Sequence, residues 1–98
     1  MRSGAIVRVS WLRAATRDLD AQMSYIARDD AELAREIYGE VRRRAAELSH
    51  FPESGRPGRV PGTRELVLVR YPYVLPYRVR NGFVEILRVF HTSQKMNR

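Results

Sequence analysis

The chain has 98 residues, 44% of them hydrophobic and 30% charged, with a formal net charge of +7 and no cysteine. That is enough for one domain with a single modest core, and it excludes disulfides, zinc–thiolate sites and thiol chemistry. No run approaches the roughly eighteen apolar residues of a membrane span, and no signal-peptide pattern opens the chain, so a cytoplasmic protein is expected.

In chain order, Ala5-Ile6-Val7-Arg8-Val9-Ser10-Trp11 alternates as a short strand would. Ser10 is a candidate cap for the helix that follows. Leu12, Ala15, Leu19, Met23 and Ile26 recur at three- and four-residue steps, the stripe of an amphipathic helix over about residues 12–28. Asp29-Asp30 ends that helix and offers a cap to a second one, striped by Leu33, Ile37, Val41, Ala45 and Leu48 and closed by Phe51-Pro52. So short a connection predicts an antiparallel helix hairpin. Arg42-Arg43-Arg44 spans most of a turn, so the three point in different directions and read as a solvated face. Residues 53–62 then hold three glycines and two prolines, the composition of a structured but irregular loop.

The remainder, Arg64 to His91, reads as a three-stranded antiparallel meander over about 63–70, 73–80 and 83–90. Tyr71-Pro72 interrupts the first pair, and Asn81-Gly82 is the type I′ hairpin signal for the second. With two-residue turns at both places, Leu66, Leu68, Leu75, Tyr77, Val79, Val84 and Ile86 share one face, which must be the core; Arg88 falls on it as well. The opposite face carries Glu65, Arg78 and Glu85 as a charge ladder beside Val67, Val69, Val74, Leu87 and Val89. Those apolar residues suggest a docking surface. Charge is uneven too: nine basic residues face eight acids in residues 1–50, but nine face only three in residues 51–98. A polyanion or an acidic protein suits the second half.

Only His50 and His91 are histidines, and neither has the neighbours of a hydrolase triad or a metal site, so no metal or cofactor is expected. Glu85, Arg88 and His91 supply the residue types of a ribonuclease. An extended strand from 85 to 91 would, however, separate its ends by about 20 Å, too far for one scissile bond.

Gly58-Arg59-Val60-Pro61-Gly62-Thr63-Arg64-Glu65-Leu66-Val67, Tyr73-Val74-Leu75-Pro76-Tyr77-Arg78-Val79 and Val84-Glu85-Ile86-Leu87-Arg88-Val89-Phe90-His91 together resemble the RelE/ParE toxin superfamily of type II toxin–antitoxin modules. The Asp18-Leu19 to Ile26-Ala27 helix and the Pro52…Gly55-Arg56 link fit the same pattern. The resemblance implies a single α+β domain over 1–98, β-α-α-β-β-β, with the helix hairpin packed on an antiparallel sheet. It also implies a cognate antitoxin, usually a ribbon-helix-helix protein of ParD type, through which alone the toxin would reach operator DNA. RelE-like members cleave mRNA on the ribosome; ParE-like members poison DNA gyrase. Where RelE-like members typically carry an arginine three residues before the middle-strand tyrosine, this chain has Val74 before Tyr77; Leu66 and Val67 stand where lysines are expected, and no tyrosine follows His91. These departures favour the ParE-like branch, with the mRNA interferase as alternative.

On that reading the antitoxin would cover Leu12, Ala15 and Leu19 on the first helix or Val67, Val74 and Val89 on the sheet. Arg59, Arg88, His91, Gln94 and Arg98 would meet the target, and the C-terminal end would matter for toxicity. The interferase alternative would rest on Arg64, Arg78, Arg88 and His91.

Overall fold

A computed structural model describes residues 6–93. A short strand β1 (Arg8–Trp11) leads directly into helix α1 (Arg13–Ala27), which is followed by α2 (Ala31–Ala46) and a 3-10 turn at Glu47–Ser49. Five further strands follow among the described residues: β2 (Arg56–Pro57), β3 (Arg64–Val67), β4 (Tyr73–Arg80), β5 (Phe83–Ile86) and β6 (Phe90–His91). The sheet runs β1-β5-β4-β3-β2, with β6 continuing alongside β4. Only β1 is parallel to its neighbour β5; every other pair is antiparallel. This is the expected α+β arrangement, two helices on one face of a mostly antiparallel sheet.

Leu12, not Ser10, occupies the cap position of α1, and no side chain caps it. Its amide is bonded to Ile86 O at 3.0 Å, which carries the β1–β5 ladder up to the first turn of the helix. Asp30 caps α2 as expected, its carboxylate accepting from Leu33 N at 3.0 Å. The core stripe is Ala15, Leu19 and Met23 on α1 and Ala34, Ile37, Val41, Ala45 on α2, with Leu48 in the 3-10 turn. Leu33 is exposed: three residues before Ile37, Ala34 fills the seat nearest α1 and leaves the leucine on the flank. Arg42 lies over the ring of Trp11 at 4.9 Å, tying α2 to the first strand.

The last hairpin follows the sequence rule. Asn81 and Gly82 both have positive φ (54° and 79°), and the pairs Val79–Val84 and Tyr77–Ile86 are as expected. The first hairpin differs. β3 pairs with β4 in the register Leu66–Leu75 and Val67–Val74, closed by Leu68 N to Tyr73 O at 2.9 Å. The connection is therefore the four residues 69–72 rather than Tyr71-Pro72 alone. A slip of two residues keeps every side chain on its expected face, which is why the core face survives. It does break the expected charge ladder: Glu65 sits opposite Pro76 instead of Arg78 and pairs with Arg56 at 2.8 Å, while Arg78–Glu85 persists at 2.6 Å.

The third strand is shorter than expected. It stops at Ile86, and β6 resumes the pairing with Tyr73–His91 and Val74–Phe90 one residue out of step with Tyr77–Ile86. One extra residue in 87–89 makes a bulge, and a one-residue shift turns side chains over. Val89, expected on the outer face, is thereby in the core, and Arg88, expected toward the core, leaves it. Val79 lies on the core face but beyond the reach of the helices, and is exposed.

Candidate functional site

The loop between helices and sheet is organised by Tyr77 and Arg64. The Tyr77 hydroxyl donates to Pro52 O at 2.8 Å and accepts from Gly55 N at 2.9 Å. Burial holds this phenol, like that of Tyr73, above its ordinary ionisation range. Glycine is required at 55, because a Cβ there would stand 2.7 Å from the Tyr77 ring. Arg64 donates to the carbonyls of Glu53 (3.1 Å) and Gly55 (2.8 Å). Its guanidinium is thus spent on the chain's own backbone.

The other three interferase candidates are also accounted for. Arg78 is bonded to Glu85, whose carboxyl is held below the usual range by that hydrogen bond and by nearby Arg80. Arg88 grips Asp18 of α1 with two bonds, Nε to Oδ2 at 2.7 Å and Nη2 to Oδ1 at 3.1 Å, which raises its own ionisation further. His91 stands opposite Tyr73, edge-on to its ring at 5.3 Å, with Ser93 Oγ 2.7 Å from Nδ1. Arg78 and Tyr73 are five positions apart on β4, so Arg78 and His91 are separated by about 16 Å along the sheet. Arg64, Arg78, Arg88 and His91 do not converge on one phosphate.

Asp18 has a second task at the bulge. Its Oδ2 accepts from Val89 N at 2.9 Å, and Gln22, one turn on, donates to Val89 O at 2.8 Å. Two polar residues on α1 therefore satisfy the backbone groups that the bulge removes from the ladder.

The residues expected to meet an antitoxin are not all available. Ala15, Leu19 and Val89 are already in the core, and Val74 is buried on the outer face opposite Phe90. The helix stripe claims Ala15 and Leu19, the bulge Val89 and the β4–β6 pairing Val74, correcting the exposure expected of them. Leu12 is half-buried, and Val67 remains open at 37% exposure. An apolar opening between the helices was not read from the sequence. It is a groove of about 490 Å³ between the helices, lined by Met23, Ala27, Ala31, Ala34 and Tyr38, with Arg35 at its rim. Tyr25, 69% exposed, lies on the neighbouring side of α1. The signal was two tyrosines standing off the apolar stripes.

Of the target set, Arg59 and Arg88 share a cleft of about 190 Å³ on the outer face with Val60, Pro76, Leu87 and Phe90. His91 lines a separate cleft against α1, with Ala21, Gln22, Tyr25 and Ile26, so the set divides between two faces. Gln94 and Arg98 lie outside the described residues. Among the described residues, no three His, Asp or Glu side chains could hold a metal ion.

Residues 9–96 match the family described as the ParE toxin of the type II toxin–antitoxin system parDE. This chain belongs to that family. The toxin is 42% identical over 88 residues to Y4kP of Sinorhizobium fredii, itself named only provisionally as a toxin, spanning 90% of this chain and 91% of that one. It is 34% identical to Toxin RelE2 of Caulobacter vibrioides, over 91% and 99% of the two chains. Among solved structures, a chain of the chromosomal ParDE system from P. aeruginosa superposes with a TM-score of 0.81 at 30% identity, covering 90% of the toxin and 98% of that chain. A chain of the RelBE2 toxin–antitoxin complex from Mycobacterium tuberculosis gives 0.66 at 27% identity, covering 96% and 100%. Both structural relatives come from systems in which a toxin is paired with an antitoxin, and a type II toxin of this family has an antitoxin as its partner.

Proposed function

We propose that this toxin poisons DNA gyrase by binding, performs no chemistry of its own, and is neutralised by a ParD-like antitoxin. The observation that carries the reading is the state of the basic residues. Arg64, Arg78 and Arg88 are each committed to an acceptor within the chain, and Arg78 and His91 lie too far apart to act together. An interferase needs such groups free and convergent on a phosphate. The match to the ParE family and the likeness to the ParDE chain support the same branch. The antitoxin covers the apolar groove between α1 and α2, lined by Met23, Ala27, Ala31, Ala34 and Tyr38, and the exposed Val67.

Plasmid topology tests the reading. Purified toxin, gyrase, ATP and supercoiled DNA should accumulate linear DNA after denaturation, and the cognate antitoxin should suppress it. The alternative, an mRNA interferase, draws on the relationship to Toxin RelE2. It requires unchanged gyrase products together with ribosome-dependent mRNA cleavage, lost on substituting Arg78 or Arg88.

A further inference from the structure

At one end of its outer face the sheet has a corner where cations outnumber their acidic partners. β1 and β4 flank β5, and the register places Arg8 and Arg80 on either side of Phe83. All three point away from the core, because Val84 beside Phe83 is buried beneath the helices and side chains alternate along a strand. Phe83 is 41% exposed, and its cross-strand neighbours on the two sides are Arg8 and Arg80. The next row holds Ser10, Glu85 and Arg78. Glu85 is the only carboxylate in these two rows; Arg78 engages it at 2.6 Å and Arg80 only at 3.7 Å. Among the described residues, Arg8 has no acidic partner. Three guanidiniums therefore face one carboxylate around an exposed ring. Elsewhere on the sheet Arg56 is matched by Glu65 and Arg88 by Asp18. Arg59 in the outer-face cleft, like Arg8, has no acidic partner among the described residues, but no aromatic ring is set there between two arginines in register.

We propose that this corner is a platform for single-stranded DNA, with an unstacked base lying on Phe83 and successive phosphates held by Arg8 and Arg80. An exposed ring stacks on any base, and flanking arginines follow the backbone, so such a platform binds with little sequence preference. An acidic segment supplies charge for the arginines, but a single strand supplies a flat π-face for the ring with every phosphate. Duplex DNA would use the arginines alone, since its bases are already stacked. The choice of DNA over RNA rests on the gyrase reading; the platform itself does not.

Fluorescence anisotropy of free toxin with labelled dodecathymidylate, across a salt series, is the test. Binding should weaken with salt, and Arg8→Gln with Arg80→Gln should lower the slope of log affinity against log salt by about 1.4, two phosphates' worth. Phe83→Ala should cost about tenfold with the slope unchanged, and Phe83→Trp should restore it. Arg28→Gln, on the far end of α1, should match wild type. Thermal melting of each variant separates lost binding from lost fold. Failure to bind the oligonucleotide would overturn the proposal. So would equal losses from Arg28→Gln, or displacement by duplex DNA or polyglutamate at equal charge. Tighter binding of dodecauridylate would overturn the assignment to DNA. No gyrase enters this assay, so its failure leaves the topology result untouched, and the reverse holds as well.

Discussion

The turn at Asn81-Gly82 and the bulge at 87–89 lie within eight residues of each other, yet they are specified in opposite ways. The turn is local: two residues tolerant of positive φ fix it, and the pairs Arg80–Phe83 to Tyr77–Ile86 follow. The bulge is distant. Nothing in Leu87-Arg88-Val89 announces an extra residue, and its freed amide and carbonyl are taken by Asp18 and Gln22, some seventy residues earlier. One piece of backbone carries its instructions with it, while the other receives them from a helix made first.

Breaking the distant arrangement should cost most. Asp18→Ala removes both bonds to Arg88 and the acceptor for Val89 N, and should destabilise by about 2–3 kcal/mol in urea unfolding. A loss under about 0.5 kcal/mol would mean that the bulge holds itself. Gly82→Ala should cost less, about 1 kcal/mol, since a Cβ there meets no atom and only the positive φ resists it. A loss matching that of Asp18→Ala would erase the contrast.

The smallest effect sharpens it on the hairpin side. The Glu85 carboxyl binds its proton less readily in the fold than in the unfolded chain, because Arg78 and then Arg80 favour the charged form. Its contribution is therefore complete above the unfolded carboxylate range and fades as pH falls through the lower folded value. Glu85→Gln should flatten the acid-side decline of the urea midpoint and leave its neutral-pH shape alone. A wild-type acid limb in that variant would assign the decline to other carboxylates, Glu40 beside Arg43 first among them.

Much of the fold was legible because it is written in short-range pattern. The stripes through Leu19 and Val41 gave the helix pair, and Asp30 its boundary. Alternation through Leu75 and Tyr77 gave the core face. The four-residue connection at 69–72 moved the register by two, an even step that alternation cannot detect. The bulge moved it by one, and that single residue carried Val89 into the core and Arg88 out of it. The site was less legible for a related reason. Apolar periodicity selects residues the fold will bury, as with Ala15 and Leu19, whereas a surface for partners is made of those that periodicity passes over. Tyr25, Tyr38 and Phe83 are of that second kind.

Arg42 over Trp11 has a practical consequence. Trp11 is the chain's sole tryptophan, so all indole emission originates where α2 meets the first strand, beneath a fixed positive charge. Any ligand that levers the helix pair from the sheet changes the colour of that emission. One that settles elsewhere leaves it alone, and the intact protein thus carries its own unlabelled gauge of which face has been engaged.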